Sequence, residues 1–288
     1  MGNSDNHICY NCQSTSSKII HNGVRDNDSL DVLQCENCGL VFLSDDSHIS
    51  NLFYEEGGMI RKSEFESWKQ NTLPDDRRRF ITLKKLIEGK ILTDFGCGNA
   101  NFLNLAKTSC KKVYGIELQK DFCEYFKDCG LSVFETLDKL PEKQDVITMF
   151  HVLEHLKNPV NMLKEISQYL NDDGKIIIEV PNANDALLSL FKCKSFADFT
   201  YWSCHLFLFN KKTLVQIVEK AGLKVEKASY IQRYTFMNHL HWLIKNKPAG
   251  HKIWRKYDLK LLNLLYSIFL KLIGMTDTIE IVVSKKSL

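Results

Sequence analysis

The 288-residue chain is expected to fold as an α/β domain on a mostly parallel sheet, preceded by a small zinc ribbon. Three observations predict this. Two Cys-x-x-Cys pairs stand near the N-terminus, short apolar strands alternate with helical segments from residue 90 onward, and the first of those strands ends in a glycine turn that opens a helix. Alternating β and α units bury a sheet between two layers of helices.

Cys9-x-x-Cys12 and Cys35-x-x-Cys38 form two knuckles separated by 22 residues. Four thiolates in two such pairs close a tetrahedron around zinc, each pair supplying one edge. Gly39 follows the second knuckle, where a turn around metal needs positive φ. Residues 40–43 then read as a strand leaving the site. Residues 1–45 are therefore assigned to a ribbon in which Cys9, Cys12, Cys35 and Cys38 hold structural zinc. A closed four-sulfur site leaves no position open for catalysis. Cys97, Cys110, Cys123, Cys129, Cys193 and Cys204 lack such pairing and are expected as core or loop thiols.

With 44% hydrophobic and 25% charged residues, the chain can bury a normal core. A formal charge of +3 is mild. It does not by itself argue for nucleic acid, whose binders concentrate basic residues on one face, and it lowers the alternative of an RNA acceptor without removing it. The opening MGNSDNHICYNC has neither a basic region nor an apolar one, so no secretory signal is expected, and Asn6 breaks the myristoylation pattern. Ten cysteines without such a signal point to reduced thiols and a cytoplasmic location.

Strands are expected at 91–95, 113–116, 131–135, 144–150, 174–181, 223–231 and 277–285, with helices at 119–130, 158–170 and 210–222. Gly96-x-Gly98 lies between the first strand and its helix, where glycines let a ligand approach the backbone. A dinucleotide fingerprint needs a third glycine, and the run Gly96-Cys97-Gly98-Asn99-Ala100-Asn101 lacks it. Asp94, just before the turn, would repel pyrophosphate and favour a cationic ligand bearing an amino group. Glu117, ending the second strand about 20 residues on, is placed to accept both hydroxyls of a ribose. An amino-acid end and a ribose describe S-adenosylmethionine better than NAD.

The segments LTDFGCGNANF and YGIEL resemble the motifs of class I S-adenosylmethionine-dependent methyltransferases, over roughly residues 75–288. The resemblance implies a Rossmann-like seven-stranded sheet whose last strand runs antiparallel. It implies cofactor contacts at Asp94, Gly96, Cys97, Gly98, Asn99, Phe102, Glu117, Leu118 and Phe150, with Thr136 beside the adenine. Residues 46–88 then form a helical linker, with Tyr54 and Trp68 as lid candidates and simple helix packing as the alternative. Arg77, Arg78 and Arg79 would meet a phosphate on the acceptor or lie on a solvated helix face.

His151-x-x-Glu154-His155 spells the zinc signature of inverzincin proteases. Such a site lies within a long helix, whereas His151 follows a strand and Asn158-Pro159 ends the segment. The stretch is read as a turn at the carboxyl edge of the fourth strand, where open α/β sheets bind ligands. As one helical turn it would put His151, Glu154 and His155 on one face, with His205 in the same layer. Glu154, His155 and His205 resemble residues with which ubiquinone-pathway O-methyltransferases and plant-type small-RNA methyltransferases hold a divalent metal, His151 standing for their first glutamate. His205 also resembles the base of sugar C-methyltransferases that begin with a similar ribbon. A histidine titrating near neutrality suits that base role.

Residues 234–275 form an insertion between the last two strands of the domain 89–288, expected as helices over the acceptor pocket with His239, His241 and Trp242 available to line it. Its apolar run from Leu259 to Met275 is too short for a membrane span and reads as a packed helix. The alternative is a helix lying on a membrane surface, since Lys252, Arg255, Lys256, Lys260 and Lys271 cluster there. The expected activity is methyl transfer from S-adenosylmethionine to a hydroxyl of a sugar, nucleotide-sugar or similar small molecule. His205, His155, Glu154 and His151 are the catalytic candidates, with structural zinc and an optional second divalent metal. The alternatives are carbon methylation of a nucleotide-linked keto sugar and a non-catalytic binding protein.

Overall fold

The protein is described here by a computed structural model covering residues 7–50 and 64–286; the lid candidate Tyr54 lies outside the described residues. Near the N-terminus β1 (Ser17–His21), β2 (Val32–Cys35) and β3 (Val41–Leu43) pair antiparallel. Their fourth strand is β9 (Phe207–Leu208), which comes from far along the chain and pairs with β3. The apolar side of this small sheet, with Leu33, Leu40 and Phe42, joins the same buried cluster as Phe207 and Phe209. Polar contacts reinforce the seam. Val160 N donates to the Tyr10 hydroxyl at 3.2 Å, and Asn11 Nδ2 donates to Gln216 Oε1 at 2.7 Å.

The main sheet contains β4 (Ile91–Phe95), β5 (Lys112–Ile116), β6 (Ser132–Phe134), β7 (Gln144–Phe150), β8 (Leu170–Pro181), β10 (Leu223–Ile231) and β11 (Thr278–Lys285). Its order is β10-β11-β8-β7-β4-β5-β6. β11 runs antiparallel between β8 and β10, while β4 to β8 pair parallel. Ile176, Ile177, Ile178 and Val180 are all fully buried, because helices cover both faces of this strand. From β4 the chain moves outward to β5 and β6, then returns to β7 on the other side of β4. That reversal leaves a crevice at the carboxyl ends of β4 and β7, the switch point where such sheets hold ligands.

The helices are α1 (Phe65–Ile87), α2 (Asn101–Ala106), α3 (Lys120–Asp128), α4 (Pro159–Gln168), α5 (Ala186–Ser189), α6 (Lys194–Thr200) and α7 (Lys211–Lys220). On α4, Leu163 and Ile166 are fully buried, each contributing about 1.5–3 kcal/mol relative to exposure. Asn210 caps α7 through a reciprocal box with Thr213, and its amide also reaches Gly39 O at the cysteine knuckle. The insertion holds α8 (Phe236–Lys245), α9 (Gly250–Ile253) and α10 (Lys260–Ile273). Here the expectation of a packed helix holds for one face alone: Leu270 is the only buried residue on α10. A helix needs only one face to be held, and the other face of α10 meets no described element.

Candidate active site

The glycine turn shows why these residues stand at the end of β4. Gly96 and Gly98 both have positive φ, and a Cβ on Gly96 would come within 2.6 Å of Val152 Cγ2. A Cβ on Gly98 would meet Trp68 Cη2 at 2.7 Å, so α1 lies directly on the turn. Asn99 Nδ2 donates to Thr72 Oγ1 at 2.8 Å and Asn101 Nδ2 to Lys69 O at 2.7 Å, fastening α1 to the start of α2. Of the two lid candidates, Trp68 thus stands on the glycine turn.

Asp94 is buried and accepts a hydrogen bond from Thr148 Oγ1 at 2.7 Å. Burial pushes its carboxyl up to about 7. Glu117 accepts from Gly98 N at 2.9 Å and from Gln119 N at 3.1 Å, one oxygen to each. Burial raises its pKa despite these donors. Asp94, Gly96, Cys97, Gly98, Asn99, Phe102, Glu117, Leu118, Thr136 and Phe150 all line one cavity of about 2050 Å³, as do His151, His155 and His205. Phe102 and Phe150 pack edge to face with ring centroids 4.9 Å apart.

The HVLEH segment does not form the α-helical turn that would align its three polar residues. His151 has φ of 56° and only Leu153–His155 make a 3₁₀ turn, so the three side chains do not share one face. His151 Nδ1 lies 3.3 Å from Glu154 Oε1, while its Nε2 lies 3.2 Å from Arg233 Nη1 and 3.4 Å from Glu179 Oε1. Glu154 and His155 instead converge on His205, with ligand atoms of all three within 4.8 Å of one another. The His155 and His205 rings stand 5.0 Å apart. His155 Nδ1 contacts Cys204 O at 2.6 Å and His205 Nδ1 contacts Thr200 O at 3.2 Å. Donation from Nδ1 to these carbonyls leaves the lone pair on Nε2 of each ring. Glu154 is fully buried, and its Oε2 has no hydrogen-bond partner among the described residues.

Burial, then the neighbouring His155, pushes the pKa of His205 down to about 3. Burial likewise lowers the pKa of His155. Burial opposes the charge on Glu154, but the His151 contact holds its carboxyl below the usual range. Two neutral imidazoles beside a carboxylate are a donor set for a first-row divalent ion.

Sequence reasoning missed Glu179, Asp75 and Arg233. Glu179 is fully buried in the apolar second half of β8, and Arg79 Nη2 and Arg78 Nη2 each approach one of its oxygens to 2.7 Å. Arg79 also pairs with Asp76 at 2.8 Å, and Arg233 with Asp75 at 3.0 Å. Arg78 and Arg79 are therefore committed internally, while Arg77 is exposed. The single acid in IIIEVP was the available signal, since a charge in a buried strand needs a partner. In the insertion, Trp242 lines the cavity, whereas His239 bonds Tyr266 and His241 bonds Lys247 O.

Cys9 and Cys38 sulfurs lie 3.6 Å apart, and those of Cys12 and Cys35 3.4 Å apart. A tetrahedral site with 2.3 Å bonds needs edges of roughly 3.8 Å, so the four thiols fit zinc. The same segment holds the loop that carries His205. Arg25 N donates to Tyr201 O at 2.9 Å, Asp26 accepts from Ser203 N and Oγ at 3.0 and 2.7 Å, and Leu43 N donates to Leu206 O at 3.2 Å.

Fold and glycine-loop site together define an S-adenosylmethionine-dependent methyltransferase. The family model described as a methyltransferase domain matches residues 65–228, more than half of the chain, and the chain belongs to that family. Among curated relatives, the tRNA U34 carboxymethyltransferase of Campylobacter hominis is 32% identical over 151 residues, 48% of this chain and 52% of its own. The ubiquinone biosynthesis O-methyltransferase of Coxiella burnetii is 24% identical over 118 residues, 38% of this chain and 50% of its own. The chain thus spans about half the length of these relatives. The solved mitomycin 7-O-methyltransferase MmcR shares the fold, with a TM-score of 0.52 at 12% identity over 83% of this chain and 62% of that one.

Proposed function

We propose that this enzyme methylates a hydroxyl oxygen of a small molecule, with Glu154, His155 and His205 holding a divalent metal beside the acceptor. The carrying observation is the fully buried Glu154 Oε2, without a hydrogen-bond partner among the described residues, next to two imidazoles turned by backbone carbonyls. An oriented imidazole with its other nitrogen bonded is the usual state of a metal-ligating histidine. A divalent ion there would lower the pKa of an acceptor hydroxyl. S-adenosylmethionine supplies, when bound, a methyl group already activated on positively charged sulfur. Asp94 would face the amino group and Glu117 the ribose, while the cavity walls exclude water and align the acceptor. The acceptor expected from the sequence, a sugar or sugar-like hydroxyl, belongs to this proposal. The oxygen named in the Coxiella burnetii relative supports an O-methyl product, and the Campylobacter hominis relative makes tRNA the competing acceptor.

His205→Ala is expected to lose the metal and, with it, several kcal/mol of acceptor activation, lowering kcat by about 10²-fold or more with S-adenosylmethionine affinity little changed. Metal analysis alongside turnover of hydroxylated sugars, phenols and a tRNA transcript checks this. Full metal content in the variant, a product methylated on carbon, or activity on tRNA alone would each defeat the proposal.

We further propose that Cys9, Cys12, Cys35 and Cys38 bind structural zinc, which steadies the His205 loop through β3 and β9. Cys35→Ser should lower the zinc content and speed hydrogen exchange at Leu43, Ser203 and Phe207, because a closed site supplies folding energy. Exchange unchanged at these amides would separate the ribbon from the catalytic loop.

A further inference from the structure

We propose that α10 and the basic tract before it dock this enzyme onto an anionic membrane surface. Leu261, Leu264, Leu265, Ile268, Phe269, Leu272 and Ile273 recur at helical spacing and form one stripe. They are between 41% and 82% exposed, where a water-facing helix would carry polar side chains. The stripe runs the length of a 14-residue helix, about 21 Å. Contiguous apolar surface on that scale marks an interaction site.

The inner face of α10 is held firmly. Asn263 Oδ1 accepts from Phe236 N at 3.0 Å, Tyr266 OH lies 2.7 Å from His239 Nδ1, and Leu270 is fully buried. The outward direction of the stripe is therefore set by polar anchors on the opposite side. No helix among the described residues is long and apolar enough to cross a membrane, so such a helix would lie in the interface plane.

Charge selects the occupant. From residue 245 to 271 the chain carries Lys245, Lys247, Lys252, Arg255, Lys256, Lys260 and Lys271 against one acid, Asp258. On a helical projection Lys260 and Lys271 share one flank of the stripe, where their stems can lie along the apolar surface and their ammonium groups reach headgroups. A second copy of this face would bring like charges together with one acid per copy to offset them. Anionic lipid offers a complementary charge to every one. Exposed Tyr257 and half-buried Trp254 add aromatic side chains suited to the headgroup layer.

The same tract reaches the catalytic cavity. Pro248, Lys252, Arg255 and Asp258 line it, and Lys252 Nζ donates to Asn71 Oδ1 of α1 at 2.7 Å. Docking through α10 would bring the cavity rim close to the bilayer, suiting an acceptor held in or at the membrane.

Vesicle flotation of the full chain tests this without any methyl transfer. The chain should float with phosphatidylcholine vesicles containing phosphatidylglycerol, far less with phosphatidylcholine alone, and release on adding salt. Leu265→Ser with Phe269→Ser should abolish flotation while leaving S-adenosylmethionine binding intact, which reports a folded protein. Lys256→Glu with Lys260→Glu should weaken it at least tenfold, since each basic residue near an anionic surface changes partitioning about fivefold. No flotation, or equal flotation with neutral vesicles, would overturn the proposal. So would light scattering that shows a dimer dissociated by the Leu265 and Phe269 changes in a chain that does not float.

Discussion

Asp94→Asn is expected to weaken S-adenosylmethionine binding about a hundredfold at pH 8 while leaving the ligand-free fold as stable as before or more so. Asp94 ends β4 in a fully dry position, with a Thr148 hydroxyl as its hydrogen-bond donor. Its folded pKa of about 7 exceeds the ordinary value of 3.8. A raised acid favours the fold below its unfolded pKa, and that contribution is lost as pH rises toward the folded value. Above about pH 7 the protein therefore holds an unpaired buried carboxylate. A ligand ammonium beside it would relieve that charge, and a paired buried charge is worth about 2–5 kcal/mol when one partner is removed. Affinity should rise about tenfold per pH unit up to about 7 and then level off, and the asparagine variant should lose this slope. Calorimetric titrations of both proteins across that range decide it. An unchanged affinity with the slope intact would remove Asp94 from the cofactor contact.

Arg79→Met should destabilise the protein by about 3–5 kcal/mol, because it strips the more deeply buried of two cations from a fully buried Glu179. For a chain of this size that lowers Tm by about 10 °C. Burial would raise the Glu179 pKa, but Arg79, the His151 contact and Arg78 hold it well below 4.5. A depressed acid contributes stability above its unfolded pKa, and that contribution disappears as pH falls through the folded value. Acid unfolding below the ordinary glutamate range should therefore become shallower in Glu179→Gln. Combining Arg79→Met with Glu179→Gln should recover part of the loss, since neither charge is then buried alone. A double variant that loses the full sum of the single effects would show that the two side chains do not act as a pair.

The main sheet was largely legible because most of its strands hold an apolar or alternating run bounded by turn residues or a helix signal. The β10 segment was read at 223–231, the bounds it has in the structure. The glycine turn was legible for a local reason, since Gly96 and Gly98 mark a tight approach before any partner is known. What approaches them was not legible: Val152 and Trp68 come from separate elements and meet only in three dimensions. The HVLEH segment misled in its geometry. Its letters fit one face of a helix, but with positive φ at His151 that side chain reaches Glu179 and Arg233 as well as Glu154, while Glu154 and His155 converge on His205.

By itself the sequence determined the methyltransferase class, the seven strands, the paired acids Asp94 and Glu117, and four cysteines spaced for a metal. Each of these is written in short-range spacing, which local backbone geometry translates directly. Only the tertiary structure decided that β9 completes the small four-stranded sheet beside the cysteines, that Arg78 and Arg79 pair inward with Glu179, and that the stripe on α10 faces outward. It also decided that burial holds His205 far below neutrality. Burial and ion pairing depend on which distant segments meet, and a one-dimensional pattern does not carry that information.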